Sequence, residues 1–218
     1  MSPFAALLRR DLAAMFGSGA RGGAALPVLF FLAVATLYPF AVGSDARLLA
    51  ETGGGVLWIA ALLAALLPIE RLVRPDLELG LFDQLALRGV AEEASLAARI
   101  LAHWLSFGPP LMVAALPGAA LMGIEAQTLL NLELGLLVGT PGLAALGVMA
   151  AGLTAALRSG AALGGLLAIP LAVPLLIFGA GSLDGNADGA LALTGAASLV
   201  LLALAPFAAG AAIRAARE

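Results

Sequence analysis

The sequence contains no cysteine and no lysine, and only one histidine and one tyrosine. The lack of cysteine excludes disulfides, thiolate metal sites, iron–sulfur clusters and cysteine nucleophiles. The lack of lysine excludes a Walker A loop, whose lysine reaches the nucleotide phosphates. Any ATP-driven role must therefore borrow a partner's ATPase. With His103 as the single histidine, neither HExxH nor a serine–histidine–acid set occurs, which argues against most hydrolase chemistry. The chain is expected to be non-catalytic. Charge is also scarce: 11% of the 218 residues are charged, against roughly 25% in soluble domains. The net charge is −3, and no basic stripe for nucleic acid is present.

What fills the chain is apolar. Hydrophobic residues make up 62%, and the mean hydropathy is +1.06. A soluble fold of this size cannot hide that much apolar surface, whereas a bilayer accepts it. The expected fold is all-α: a single transmembrane domain over residues 1–218.

Residues 3–16 place Phe4, Leu8, Leu12 and Met15 at spacings of three and four, with Leu7 and Phe16 alongside and Arg9 and Arg10 towards the other side. This predicts an amphipathic helix in the membrane surface. Arg9-Arg10 is read against a twin-arginine export signal, because the apolar run begins far downstream. A linker with Arg21 leads to spans at about 24–42, 53–69, 96–122, 128–155, 161–180 and 190–211. An Arg158-Ser159-Gly160 turn separates the fourth and fifth spans. The loop with Asp184, Asn186 and Asp188 opens like an EF-hand, but its twelfth position is Gly195, not glutamate, so it is read as a turn.

Six spans put both termini on one side. Placing that side in the cytoplasm puts Arg9, Arg10, Arg21, Arg71, Arg74, Arg88, Arg99, Arg158, Arg214 and Arg217 inside and only Arg47 outside. The positive-inside rule selects this orientation. In a bacterium the membrane is then the inner one.

Residues 70–95 form the longest polar stretch. Leu77, Leu81 and Leu85 recur at a spacing of four among Arg71, Arg74, Asp76, Glu78 and Asp83. A short helix there would present an apolar ridge between charges, as a coupling helix needs for docking on a cytoplasmic ATPase. A solvated connector between spans fits the same pattern. On the third span, Ser95, Arg99, His103 and Ser106 share one helix face. Arg99 can snorkel to the interface, and His103 lies deeper. His103, Trp104 and Arg99 are the candidate haem or substrate contacts; a histidine hydrogen-bonded to a neighbouring helix is the structural alternative. Asn131 and Glu133 lie near the outer end of the fourth span. Pro109, Pro110, Pro117, Pro141, Pro170, Pro174 and Pro206 permit kinks. Gly135-xxx-Gly139 and Gly160-xxx-Gly164 permit close helix approach. These features leave an ABC permease, a scaffold, and a stand-alone channel or secondary transporter open.

The ordered strings LLRRDL, TLYPFAVG (36–43), WIAALLAALLPIERLVRPDLELGLFDQL (58–85), AHW and GPPL (102–111), GTPGLAALG (139–147) and IPLAVPLLIFGAGSLD (169–184) resemble the CcmB family, haem exporter protein B of cytochrome c maturation. The resemblance implies a type-2-like ABC exporter permease with an N-terminal interfacial helix and a cytoplasmic coupling helix. It implies a cytoplasmic ATPase (CcmA-like) that holds ATP and magnesium, and a haem-handling membrane protein (CcmC-like). A small single-span protein (CcmD-like) and a periplasmic haem chaperone (CcmE-like) complete the set, with two copies of this subunit per complex. ATP hydrolysis would then drive haem delivery or release of the loaded chaperone. Contact with the ATPase falls to Arg71, Arg74, Asp76, Glu78, Gly80 and Asp83. Haem would be held at the level of the complex, with no cofactor resident in this chain. Pro75 and Phe82 depart from the family's usual run.

Overall fold

The computed structural model describes residues 2–17, 23–43, 45–157, 160–184 and 189–217. Arg21, Arg158, Ser159, Asn186 and Asp188 lie outside these, as does the side-chain environment of Gly160. Among the described residues the fold is all helical: α1 (Pro3–Phe16), α2 (Ala25–Val42), α3 (Ala46–Leu66), α4 (Ile69–Leu72), α5 (Arg74–Glu78), α6 (Leu81–Leu87), α7 (Glu92–Met122), α8 (Ala126–Thr154), α9 (Gly160–Gly181) and α10 (Ala190–Ala215). Six of them, α2, α3, α7, α8, α9 and α10, are long and apolar enough to cross a membrane.

The bundle is organised around α8. In its most apolar window 78% of residues are buried, against 17% in α2, which lies at the periphery. Helices α3, α7, α9 and α10 all pack on α8. Small residues make this possible, since helices in lipid associate through close packing. A Cβ on Gly142 would lie 2.7 Å from the Ser198 Cα, and one on Gly152 would lie 2.9 Å from the Ala209 Cα. Those two glycines set the α8–α10 approach. Gly135 and Gly139, the spacing singled out in the sequence, serve another purpose. Together with Gly179 of α9 they form the walls of a slot that receives the Trp58 indole from α3. Trp58 is fully enclosed there, and its Nε1 has no hydrogen-bond partner among the described residues.

Several expected boundaries shift for local reasons. Helix α3 begins at Ala46 rather than near residue 53. Asp45 caps it, accepting hydrogen bonds from the Arg47 and Leu48 amides at 3.1 Å. Arg47 and Glu51 are helical and pair at 2.7 Å. Helix α7 runs on as one helix through Gly108-Pro109-Pro110 and Pro117, the prolines expected to permit kinks. Its first turn carries Glu92 and Glu93, which suit the positive end of a helix dipole.

The stretch after α3 does not form one coupling helix. It breaks at Val73 and again at Gly80, whose φ of 65° is left-handed and favours glycine. The leucine ridge accordingly turns inward. Leu85 packs with Leu7 of α1 and Ala98 of α7, and Leu81 lies against that cluster. Leu77 packs on the main core. The apolar side chains left facing outward are Leu79 and Leu87. Helix α1 forms over the expected residues. Its buried face carries Leu7 and Asp11, while Phe4 and Phe16 remain exposed.

Candidate functional site: the termini-side plate

Helix α1, the three short helices α4–α6, the start of α7 and the end of α10 meet at one end of the bundle. Ion pairs join them. Arg217 reaches Asp83 at 3.1 Å and Glu92 at 2.5 Å, and Arg214 reaches Glu93 at 2.6 Å. Both termini therefore lie on the same side as the 69–87 segment.

At the centre of this plate is Arg99. It does not snorkel: it is 1% exposed. Its guanidinium donates to the Asp76 carboxylate, to Asp11 Oδ2 at 3.2 Å and to the Leu72 carbonyl at 2.7 Å. The Phe82 ring lies 5.8 Å from its central carbon. Arg10 bridges the same two acids, reaching Asp11 at 2.5 Å and Asp76 at 2.7 Å. Burial by itself lowers the Arg10 pKa, but the two carboxylates outweigh it and hold the value above that of an ordinary arginine. A buried charge persists only when paired and hydrogen-bonded, and each guanidinium here supplies several donors in a fixed fork. Asp76, expected to meet a partner, instead faces the protein interior. It joins Arg99, which was expected to meet substrate.

The polar stripe of α7 is buried over all four residues, Ser95, Arg99, His103 and Ser106. Two of the four cap helix ends, while Ser106 donates to the His103 carbonyl of its own helix and Ser95 Oγ has no partner among the described residues. Helix α3 ends at Leu66, so its last carbonyls have no partner within the helix. His103 Nε2–H donates to the Ala65 carbonyl at 3.1 Å, which leaves Nδ1 as the acceptor nitrogen. Arg99 does the same for Leu72, the last residue of α4. The stripe therefore holds the two successive ends of a chain that bends twice. Trp104 points to α8, where Nε1–H donates to Thr140 Oγ1 at 3.0 Å.

His103 and Ser106 also line a cavity of about 160 Å³ between α2, the α3–α4 bend and α7, with Glu70, Arg71 and Met15 also on its wall. Cofactor sites commonly occupy roughly 300–1,000 Å³. This space falls below that range. On the opposite side a wider groove of about 660 Å³ carries Glu51, Glu125 and Asp184 on its walls. Near that end of α8, Gln127 donates to Asn131 at 3.2 Å, and Glu133 Oε1 has no partner among the described residues.

Of the six candidate partner contacts, the structure places Arg71, Glu78 and Asp83 on the exposed surface, with Arg74 and Gly80 half-buried and Asp76 buried. Arg74 pairs with Glu78 at 2.8 Å, and this contact holds the Arg74 pKa above the ordinary arginine value. Arg10 and Asp11 escaped the sequence reading as site residues. The available signal was Asp11 itself, an isolated acid four residues after Leu7 in an otherwise apolar and basic helix.

A family model described as CcmB protein matches residues 2–216. The chain is 44% identical to heme exporter protein B of Rhodobacter capsulatus over 214 residues, covering 96% of this chain and 97% of that protein. It is 40% identical to heme exporter protein B of Haemophilus influenzae over 193 residues, covering 86% and 87%. The Escherichia coli protein of the same name is 38% identical, with 86% and 88% covered. With its six apolar helices in the expected order and a match along almost its full length, the chain belongs to the CcmB family.

Proposed function

We propose that this chain is the membrane-spanning, non-catalytic subunit of an ABC-type complex for haem delivery in cytochrome c maturation. A partner ATPase (CcmA-like) binds the 69–87 segment and supplies the energy of ATP hydrolysis. The observation that carries this reading is the two-sided character of that segment. One side is buried and ion-paired to α7 through Asp76 and Arg99. The other side exposes Arg71, Glu78, Leu79, Asp83 and Leu87. Apolar anchors among paired charges suit a protein partner. The absence of lysine supports borrowing the ATPase. The names of the relatives, heme exporter protein B, support haem as the cargo.

The plate faces the cytoplasm in this reading. Arg9, Arg10, Arg71, Arg74, Arg88, Arg99, Arg214 and Arg217 lie at that end, and Arg47 lies at the other. Haem itself is held by the membrane partner (CcmC-like), with the single-span protein (CcmD-like) and the periplasmic chaperone (CcmE-like) completing the assembly around two copies of this chain.

A second reading is a scaffold that passes the ATPase's movement to the haem-handling partner and has no substrate path of its own. It is favoured by the enclosure of His103, whose Nε2–H is committed to the Ala65 carbonyl.

The test is affinity purification of the tagged chain from native membranes in mild detergent, with co-purifying proteins identified by mass spectrometry. A P-loop ATPase and a haem-handling membrane protein are expected. Recovery of the chain alone, with its native partners expressed, would sink the ATPase reading. Haem bound to the purified chain after its partners are stripped away would sink the scaffold reading.

A further inference from the structure

The 69–87 segment is joined covalently to two spans, α3 before it and α7 after it. A push on the segment could travel into either. The geometry points to α7: Arg99 locks α1, α5, α6 and the first turns of α7 into one rigid body, and it is the positioning residue through which segment movement reaches the membrane. This inference rests on the proposal that an ATPase binds the segment.

Four observations support it. First, Arg99 gathers groups from three parts of the chain: Asp11 of α1, Asp76 of α5 and the Leu72 carbonyl at the α4–α5 break. Second, the cluster is desolvated. Arg99, Asp11 and Asp76 are 1%, 2% and 3% exposed, so sliding any one element away strands a buried charge. Forked guanidinium bonds also fix direction, not only distance. Third, an apolar contact reinforces the same three elements, with Leu7 of α1, Leu85 of α6 and Ala98 of α7 packed together. Fourth, α3 does not run on into the segment: the chain turns at Leu67-Pro68 beside a cavity of about 160 Å³, whereas the carbonyl that ends α4 is itself held by Arg99 of α7.

The absence of cysteine makes the test clean. A Leu85→Cys/Ala98→Cys pair provides the only two thiols in the chain, and a short bifunctional thiol reagent can join them in native membranes. A rigid body has nothing to lose by being joined. Cytochrome c maturation should stay within about twofold of the unjoined pair, with unchanged ATP hydrolysis. Loss of maturation on cross-linking, with the ATPase still co-purifying, would show that α6 slides on α7 and would overturn the inference. In parallel, Arg99→Lys keeps the charge but not the fork. It should retain the ATPase and its hydrolysis while cytochrome matured per ATP falls about tenfold. An unchanged yield per ATP in a variant present at normal membrane levels would also overturn it. If Arg99→Lys does not accumulate, the cross-linked pair decides alone. A wild-type chain that brings down no ATPase overturns the functional reading, and this inference with it, before any variant is made.

Discussion

Arg99 and Asp76 form an ion pair inside the protein, although one belongs to a membrane-spanning helix and the other to a surface segment 23 residues earlier. The pair closes over the Leu72 carbonyl, so a charged contact and a helix cap share one guanidinium. Asp11, from the first helix, completes it.

Asp11→Asn keeps the side-chain volume and removes the charge. Arg99 then retains Asp76, the Leu72 carbonyl and a neutral side-chain oxygen at position 11, but loses one of its two charged partners in a desolvated site. The expected destabilisation is about 1–3 kcal/mol, read as a lower melting temperature in detergent. Helix α1 should also become susceptible to trypsin at Arg9 and Arg10. Resistance equal to wild type would show that α1 is held by Leu7 packing alone. Arg74→Gln breaks only the exposed pair with Glu78 and should leave the melting temperature unchanged.

His103 caps the end of α3. His103→Gln preserves an amide N–H for the Ala65 carbonyl and should retain both stability and cytochrome c maturation. His103→Leu leaves that carbonyl buried and unpaired, at roughly 1–3 kcal/mol. Abolished maturation in a stable His103→Gln variant would assign the imidazole to haem instead.

The Trp58 slot predicts an order among glycines. A Cβ on Gly179 would lie 2.5 Å from the ring, whereas on Gly135 it would lie 3.1 Å away, and Gly55 faces open space. Gly179→Ala should therefore destabilise by about 1–3 kcal/mol, Gly135→Ala by less, and Gly55→Ala little. Trp58→Phe should relieve much of the Gly179→Ala defect. Equal melting temperatures for all three alanine variants would refute the slot.

The α8–α10 contact predicts intolerance at a different pair. The atoms facing Gly142 and Gly152 include the backbone Cα atoms of Ser198 and Ala209, which cannot rotate aside. Gly142→Val or Gly152→Val should prevent α10 from seating. Gly195→Ala meets a single side-chain methyl, Val138 Cγ1 at 3.0 Å, and no backbone atom, and should be better tolerated than either valine variant. Size-exclusion profiles in mild detergent separate the two behaviours.

Hydropathy alone located the six spans, because membrane-depth helices are marked by local runs of apolar residues. The polar stripe on α7 was likewise legible, since Ser95, Arg99, His103 and Ser106 recur at helical spacing. What each residue does there was not. Arg99 meets Asp11 across 88 positions and His103 meets Ala65 across 38, and no local pattern encodes such pairings. The leucine ridge misled for a related reason. A spacing of four marks one helix face only while the helix continues, and Gly80 ends it between Leu77 and Leu81.

The Trp58 slot also imposes a schedule on synthesis. The indole belongs to the second span, but one wall of its slot, Gly179, lies 121 residues later. At roughly 5–20 residues per second, the ribosome needs on the order of 6–24 s to deliver that wall. During that interval α3 stands in the bilayer with its largest side chain unhoused, and α8 offers only part of a seat. The Trp58 slot is therefore complete only once α9 has been made.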